Sequence, residues 1–254
     1  MGVESAYAGW IGQFAARAEE RGTGRSEPDW GLGARLQPAI VRSVQRFQVG
    51  ESGDGANLLR KAAAAGPSDY ADAARLFVAE EQNHARLLAM LLGAAGAPLL
   101  AWHWSDAVFV RLRRALGLRL ELMVLLIAEV VALGYYRALR DGAGDGLTSR
   151  VAGSILTDER SHVPFHCQRL REEFARWPRW ARRAIDVPWS LLLCGTVLMV
   201  AFDHGPALRR LGVGKWQFVD EVTREFRAAV RSVLRITDGR RSTAANVAAA
   251  GVRR

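Results

Sequence analysis

Apolar positions along this chain recur every three to four residues, the period of an amphipathic helix, and no window alternates apolar and polar as a half-buried strand would. Tyr7, Trp10, Ile11, Phe14 and Ala18 mark a helix within residues 3–20, and the breaker-rich stretch Gly22–Gly33 reads as a linker. A first long helix is predicted from about Gln37 to Ala65, stopped by Gly66-Pro67. Ser68 or Asp69 caps a second that runs to about Leu92. Ser105-Asp106 opens a third, with Leu120–Leu139 as its most buried part and the run Asp141–Gly146 as its closing turn. A fourth spans about Leu147–Arg176 and stops at Trp177-Pro178. Further helices are expected near Pro188–Phe202 and Trp216–Ile236, and Ser242–Arg254 reads as a disordered tail. The expected class is all-α, with four long helices at its centre. Residues 34–178 would form that bundle, 1–33 an N-terminal segment and linker, 179–238 additional packed helices, and 239–254 the tail.

Some polar residues fall on apolar faces. The second helix carries the stripe Phe77, Glu81, His84, Leu88, Leu91, and the fourth carries Ile155, Glu159, His162, His166, Leu170. Glu81 with His84, and Glu159 with His162, share the spacing i, i+3, which puts each couple on one side of its helix. Glu129 is embedded in LMVLLIAEVVAL on the third helix, and Glu51 follows Val44 and Phe47 on the first. A lone buried carboxylate costs several kcal/mol unless it is paired or bound to a cation. The interval from Glu51 to Glu81 equals that from Glu129 to Glu159, as in two similar helical hairpins, each giving one Glu and one Glu-x-x-His. Packed face to face, such hairpins would set four carboxylates and two imidazoles around one point and call for two metal ions. Gly53 and Gly55 weaken the helix around Glu51 and leave its register the least determined of the six.

On these six positions the chain resembles the ferritin-like di-iron carboxylate superfamily, over roughly Gln37 to Arg176. The resemblance implies Glu51 and Glu129 as single-carboxylate ligands, Glu81/His84 and Glu159/His162 as paired ligands, and two bridging Glu. It implies that Glu80 and Asp158, each just before a ligating Glu, orient the opposite histidines: Asp158 with His84, Glu80 with His162. Family sites more often have Asp at the position of Glu80. Glu129 and Glu159 would be the carboxylates that shift to open coordination positions. His166, one turn beyond His162, is placed as a pocket or supporting residue rather than a ligand. Tyr136 is either a phenol beside the metals or a core tyrosine. The implied cofactor is a pair of iron ions, with manganese as the alternative, since carboxylate and imidazole donors suit both and no thiolate is placed to select zinc. The implied activity is oxidation of a small apolar substrate by dioxygen, with an external electron donor. An iron-handling ferroxidase or storage protein, and a membrane-surface hydroxylase of a quinone or lipid, are the alternatives. A rubrerythrin-like peroxidase lacks its usual rubredoxin-type cysteines here, and a tRNA hydroxylase ranks last because its motifs match poorly.

Composition adjusts this picture little. Half of the 254 residues are hydrophobic and 24% charged, as in globular proteins. The net charge of +9 invites a nucleic-acid reading, but Lys61 and Lys215 are the only lysines. An Arg-, Ala- and Gly-heavy chain of that kind reflects codon bias, so nucleic acid is discounted as a partner. Contact with a membrane surface stays open, and a monomer or homodimer is expected. Cys167 and Cys194 form no framework and the N-terminus shows no export pattern, so a cytoplasmic location is the expectation. Both cysteines and the tryptophans read as packing residues, and His103 and His204 are assigned no role. The longest apolar run, Val187–Phe202, contains Pro188 and Gly195 and is read as a buried or interfacial helix.

Overall fold

The computed structural model describes residues 6–25, 27–65, 68–114 and 117–234. Within them the chain is all-α: α1 (Ala8–Gly22), a single 3-10 turn (Trp30–Leu32), α2 (Pro38–Glu51), α3 (Ala56–Ala65), α4 (Ser68–Ala94), α5 (Trp104–Arg114), α6 (Leu118–Gly142), α7 (Gly146–Ala175), α8 (Arg179–Asp203), α9 (Gly205–Arg210) and α10 (Lys215–Leu234). The Gly66-Pro67 stop and the Ser242–Arg254 tail lie outside the described residues.

α6 and α7 make the most extensive pairing. The tight connection 143–145 makes them antiparallel neighbours, and the Asp145 carboxylate caps α7 by accepting from the Thr148 amide at 2.8 Å. α2 lies along α4, α4 against α7, and α10 against α6, α7 and α8, giving a helical bundle. The core is continuous, running from Leu88 and Leu91 on α4 through Leu122, Leu126 and Val130 on α6 to Ile155 and Leu170 on α7.

α1 lies over α4 and α7. Phe14 meets Phe165 of α7 edge-on at 5.4 Å between ring centroids, and Trp10 donates its indole N–H to Gln168 at 2.8 Å. The Tyr7 hydroxyl, in the turn that leads into α1, donates to Glu172 at 2.6 Å. These contacts fix which way α1 turns its charged residues.

Four expectations are corrected. The first long helix is two, α2 and α3, broken at Ser52–Gly55. Gly55 has φ +64°, and a Cβ there would come 2.5 Å from Val78 Cγ1, so the chain must leave the helix to pass α4. The third is also two, α5 and α6, with Gly117 in extended backbone at the N-cap of α6. α8 begins at Arg179, well before Pro188, which sits in its interior. Finally, α6 and α8 are both long and apolar enough to cross a membrane, but 89% of the apolar window of α6 is buried against 22% in α8. Of the two alternatives for Val187–Phe202 the buried one is thereby set aside, since the run lies at the surface, and Cys194, Trp102, Trp104, Trp180 and Trp216 are exposed rather than packed.

Candidate metal centre

Glu51 is the last residue of α2, Glu81 and His84 lie mid-α4, Glu129 mid-α6, and Glu159 and His162 mid-α7. The packing of these four helices brings all six side chains together. They form two overlapping groups: Glu51, Glu81, His84, Glu159 and Glu81, Glu129, Glu159, His162. Within each group one donor atom per residue lies within 4.8 Å of the others, and Glu81 and Glu159 belong to both.

The imidazoles define the chemistry. His84 Nε2 is 3.2 Å from Asp158 Oδ2, and His162 Nε2 is 3.1 Å from Glu80 Oε2. An ionised carboxylate only accepts, so each Nε2 carries a proton and donates it. Each Nδ1 then faces the other way. His84 Nδ1 lies 3.3 Å from Glu159 Oε1 and 3.5 Å from Glu81 Oε1. His162 Nδ1 lies 3.1 Å from Glu81, 3.3 Å from Glu129 and 3.5 Å from Glu159. Both Nδ1 atoms, with Glu81 Oε1 and Glu159 Oε2, are buried without a hydrogen-bond partner among the described residues. Such groups are rare in folded proteins because each costs about 1–3 kcal/mol. Inward nitrogen lone pairs and carboxylate oxygens converging on two points fit a pair of divalent cations, with the outer carboxylates fixing the tautomer.

Metal-free, protons must take over that role. Desolvation works against charge on both imidazoles, yet the surrounding carboxylates hold both pKa values well above the ordinary histidine value. Burial pushes Glu51 well up, reinforced by Glu81 and Glu159, and pushes Glu159 up to about 7 with help from Glu129. Burial also opposes ionisation of Glu129 and Glu81, but His162 with His166 holds Glu129 well down, and His162 with His84 holds Glu81 at about 2.

The Tyr136 hydroxyl donates to Glu51 Oε1 at 2.6 Å, which anchors a carboxylate standing at a helix end. His166 sits outside both groups, its Nε2 3.4 Å from Glu129 Oε1 and neither ring nitrogen hydrogen-bonded among the described residues.

Two residues absent from the sequence-based set complete the centre. Arg17 donates Nε and Nη2 to Glu80, both at 2.7 Å, and its Nε lies 3.2 Å from Asp158. Arg21, one turn on, reaches Glu80 at 3.0 Å. Burial disfavours the Glu80 charge, but Arg17 and His162 outweigh it and bring the pKa to about 2. The available signal was the i, i+4 arginine pair on α1, together with the need of two buried acids for countercharge.

A cavity of about 550 Å³ reaches Glu51, Glu81, Glu129 and Glu159 from the side of α5 and α8. Phe47, Phe109, Val110, Leu125, Met199 and Val200 wall it, with Arg113 and Thr196 among its polar positions. The volume suits a small organic molecule.

Comparison with family models, with curated proteins and with solved structures gives no match to this chain.

Proposed function

We propose that this chain is a ferritin-like di-metal carboxylate protein that binds two iron ions, with manganese as the alternative, and activates dioxygen to oxidise a small apolar substrate. The observation that supports it most is the pair of buried, unpartnered Nδ1 atoms aimed at shared carboxylates, each imidazole held from behind by Asp158 or Glu80. Bound iron would supply the electron-transfer chemistry that reduces dioxygen, and an external donor would restore it.

The side chains have separable tasks. His84 with Glu51 would hold one ion and His162 with Glu129 the other, Glu81 and Glu159 standing between them. Asp158 and Glu80 accept from the two Nε2 atoms and so keep each Nδ1 turned inward. Tyr136 holds Glu51 in place at the cavity wall. Phe47, Phe109 and Met199 present an apolar surface beside the four carboxylates, which orients an apolar substrate and keeps water from the reacting face.

Metal analysis by mass spectrometry after reconstitution and desalting tests the reading. Two ions per chain are expected, falling to one or fewer in Glu159→Ala, together with dioxygen uptake by the reduced, iron-loaded protein. Less than one ion per chain in the native sequence overturns it. A large multi-subunit shell that accumulates iron far beyond two per chain assigns storage instead.

A further inference from the structure

α8 is apolar on two sides, one packed in the core and the other turned outward. Trp189, Leu193, Val197 and Ala201 are buried beneath it, where it meets α6 and α10. The opposite side carries Trp180, Val187, Leu191 and Phe202, exposed by 74, 63, 68 and 56%. Their separations are near-whole numbers of helical turns, so they form one stripe along a helix roughly 37 Å long. No charged residue interrupts the chain between Asp186 and Asp203. Scattered exposed apolar residues are ordinary, but a continuous stripe marks a contact surface.

The ends of the stripe say what covers it. Trp180 stands at one end. At the other, the Trp216 ring lies 6.3 Å from that of Phe202, and Lys215 Nζ sits 4.2 Å above the Phe202 ring. Exposed Arg176, Arg179 and Arg183 surround the first end, and exposed Arg209 and Arg210 adjoin the second. An apolar face with aromatic residues at its limits and cations beyond them matches the layering of a bilayer surface, hydrocarbon flanked by phosphates.

We propose that the outward face of α8 docks flat onto an anionic lipid bilayer, its stripe in the acyl boundary and its basic ends on lipid phosphates. The helix cannot span the bilayer while Trp189, Leu193 and Val197 stay packed on α6 and α10. A second copy of this chain is a poorer occupant, because parallel or antiparallel pairing along α8 sets one basic end against another. The docking requires no metal and stands apart from the reading of the centre.

Sedimentation of the full chain with phosphatidylcholine vesicles, with and without phosphatidylglycerol, tests it on metal-free and metal-loaded protein alike. Binding is expected to the anionic vesicles, to weaken with added salt, and to fall by about tenfold or more in the double variant Leu191→Glu/Phe202→Glu. Both positions are exposed, so circular dichroism should show the fold retained. Absence of vesicle binding by the native sequence, or equal binding by the double variant, overturns the proposal. So does a dimer in light scattering that the double variant dissociates while neither protein sediments with vesicles.

Discussion

Glu159 shows how much free energy is stored in the metal-free centre. It is 1% exposed, lies among two imidazoles and three further carboxylates, and keeps its proton up to about pH 7 instead of the ordinary 4.5. Between those values the folded chain holds a proton that the unfolded chain has released. The stability that this proton gives the metal-free chain is therefore lost as pH rises from about 4.5 through 7. Glu159→Gln removes this penalty. We expect the metal-free variant to be more stable than the native chain at pH 7 by roughly 2–3 kcal/mol, with a flatter pH profile across that window, in urea titrations. The same variant should bind at most one metal ion. A gain in stability with a loss of metal is the pattern of a site strained for function.

At the scale of elements, the turn between α2 and α3 and the position of α1 matter most. The turn places Glu51 at a helix end, and Gly55 makes the turn. Gly55→Ala adds left-handed strain and a clash with Val78, and should cost about 2 kcal/mol or more in chemical denaturation. It should also lower metal stoichiometry by displacing Glu51. α1 supplies the cations that pair with Glu80 and Asp158 behind the imidazoles. Arg17→Ala/Arg21→Ala should weaken metal binding by about 10- to 100-fold in competition with a chelator, with Arg17→Lys intermediate because an ammonium cannot make both of the 2.7 Å contacts. Unchanged affinity would mean that the imidazoles need no support from α1.

At the scale of the molecule, four helices converge on the centre, so metal binding should stabilise the whole bundle. Adding iron(II) or manganese(II) at about a hundredfold excess over Kd should raise the unfolding temperature by roughly 5–10 °C per site, and a chelator should reverse it. A single cooperative transition is expected, because the core runs unbroken from α1 to α10. In Glu129→Ala the metal-dependent rise should shrink, while the transition stays cooperative.

Local patterning made much of this legible. A Glu and a His three apart inside an apolar stripe must share a helix face, whatever the fold, because the helical period dictates it. The all-α class follows from the same periodicity. Tertiary packing decided the rest. Whether a glycine bends a helix or sits within it depends on what passes nearby, and at Gly55 that neighbour is Val78 from another helix. Whether Pro188 starts α8 or lies inside it, and whether that helix is buried, depends on what covers its second face. Nothing local distinguishes α8 from α6, since both are apolar runs of similar length. The bond from Arg17 to Glu80 joins charges far apart in the chain, and the tertiary contacts of α1, among them Phe14 against Phe165 and Trp10 with Gln168, aim it. Periodicity chose which side chains share a face; long-range contact chose which faces meet, because that depends on the shape of both partners.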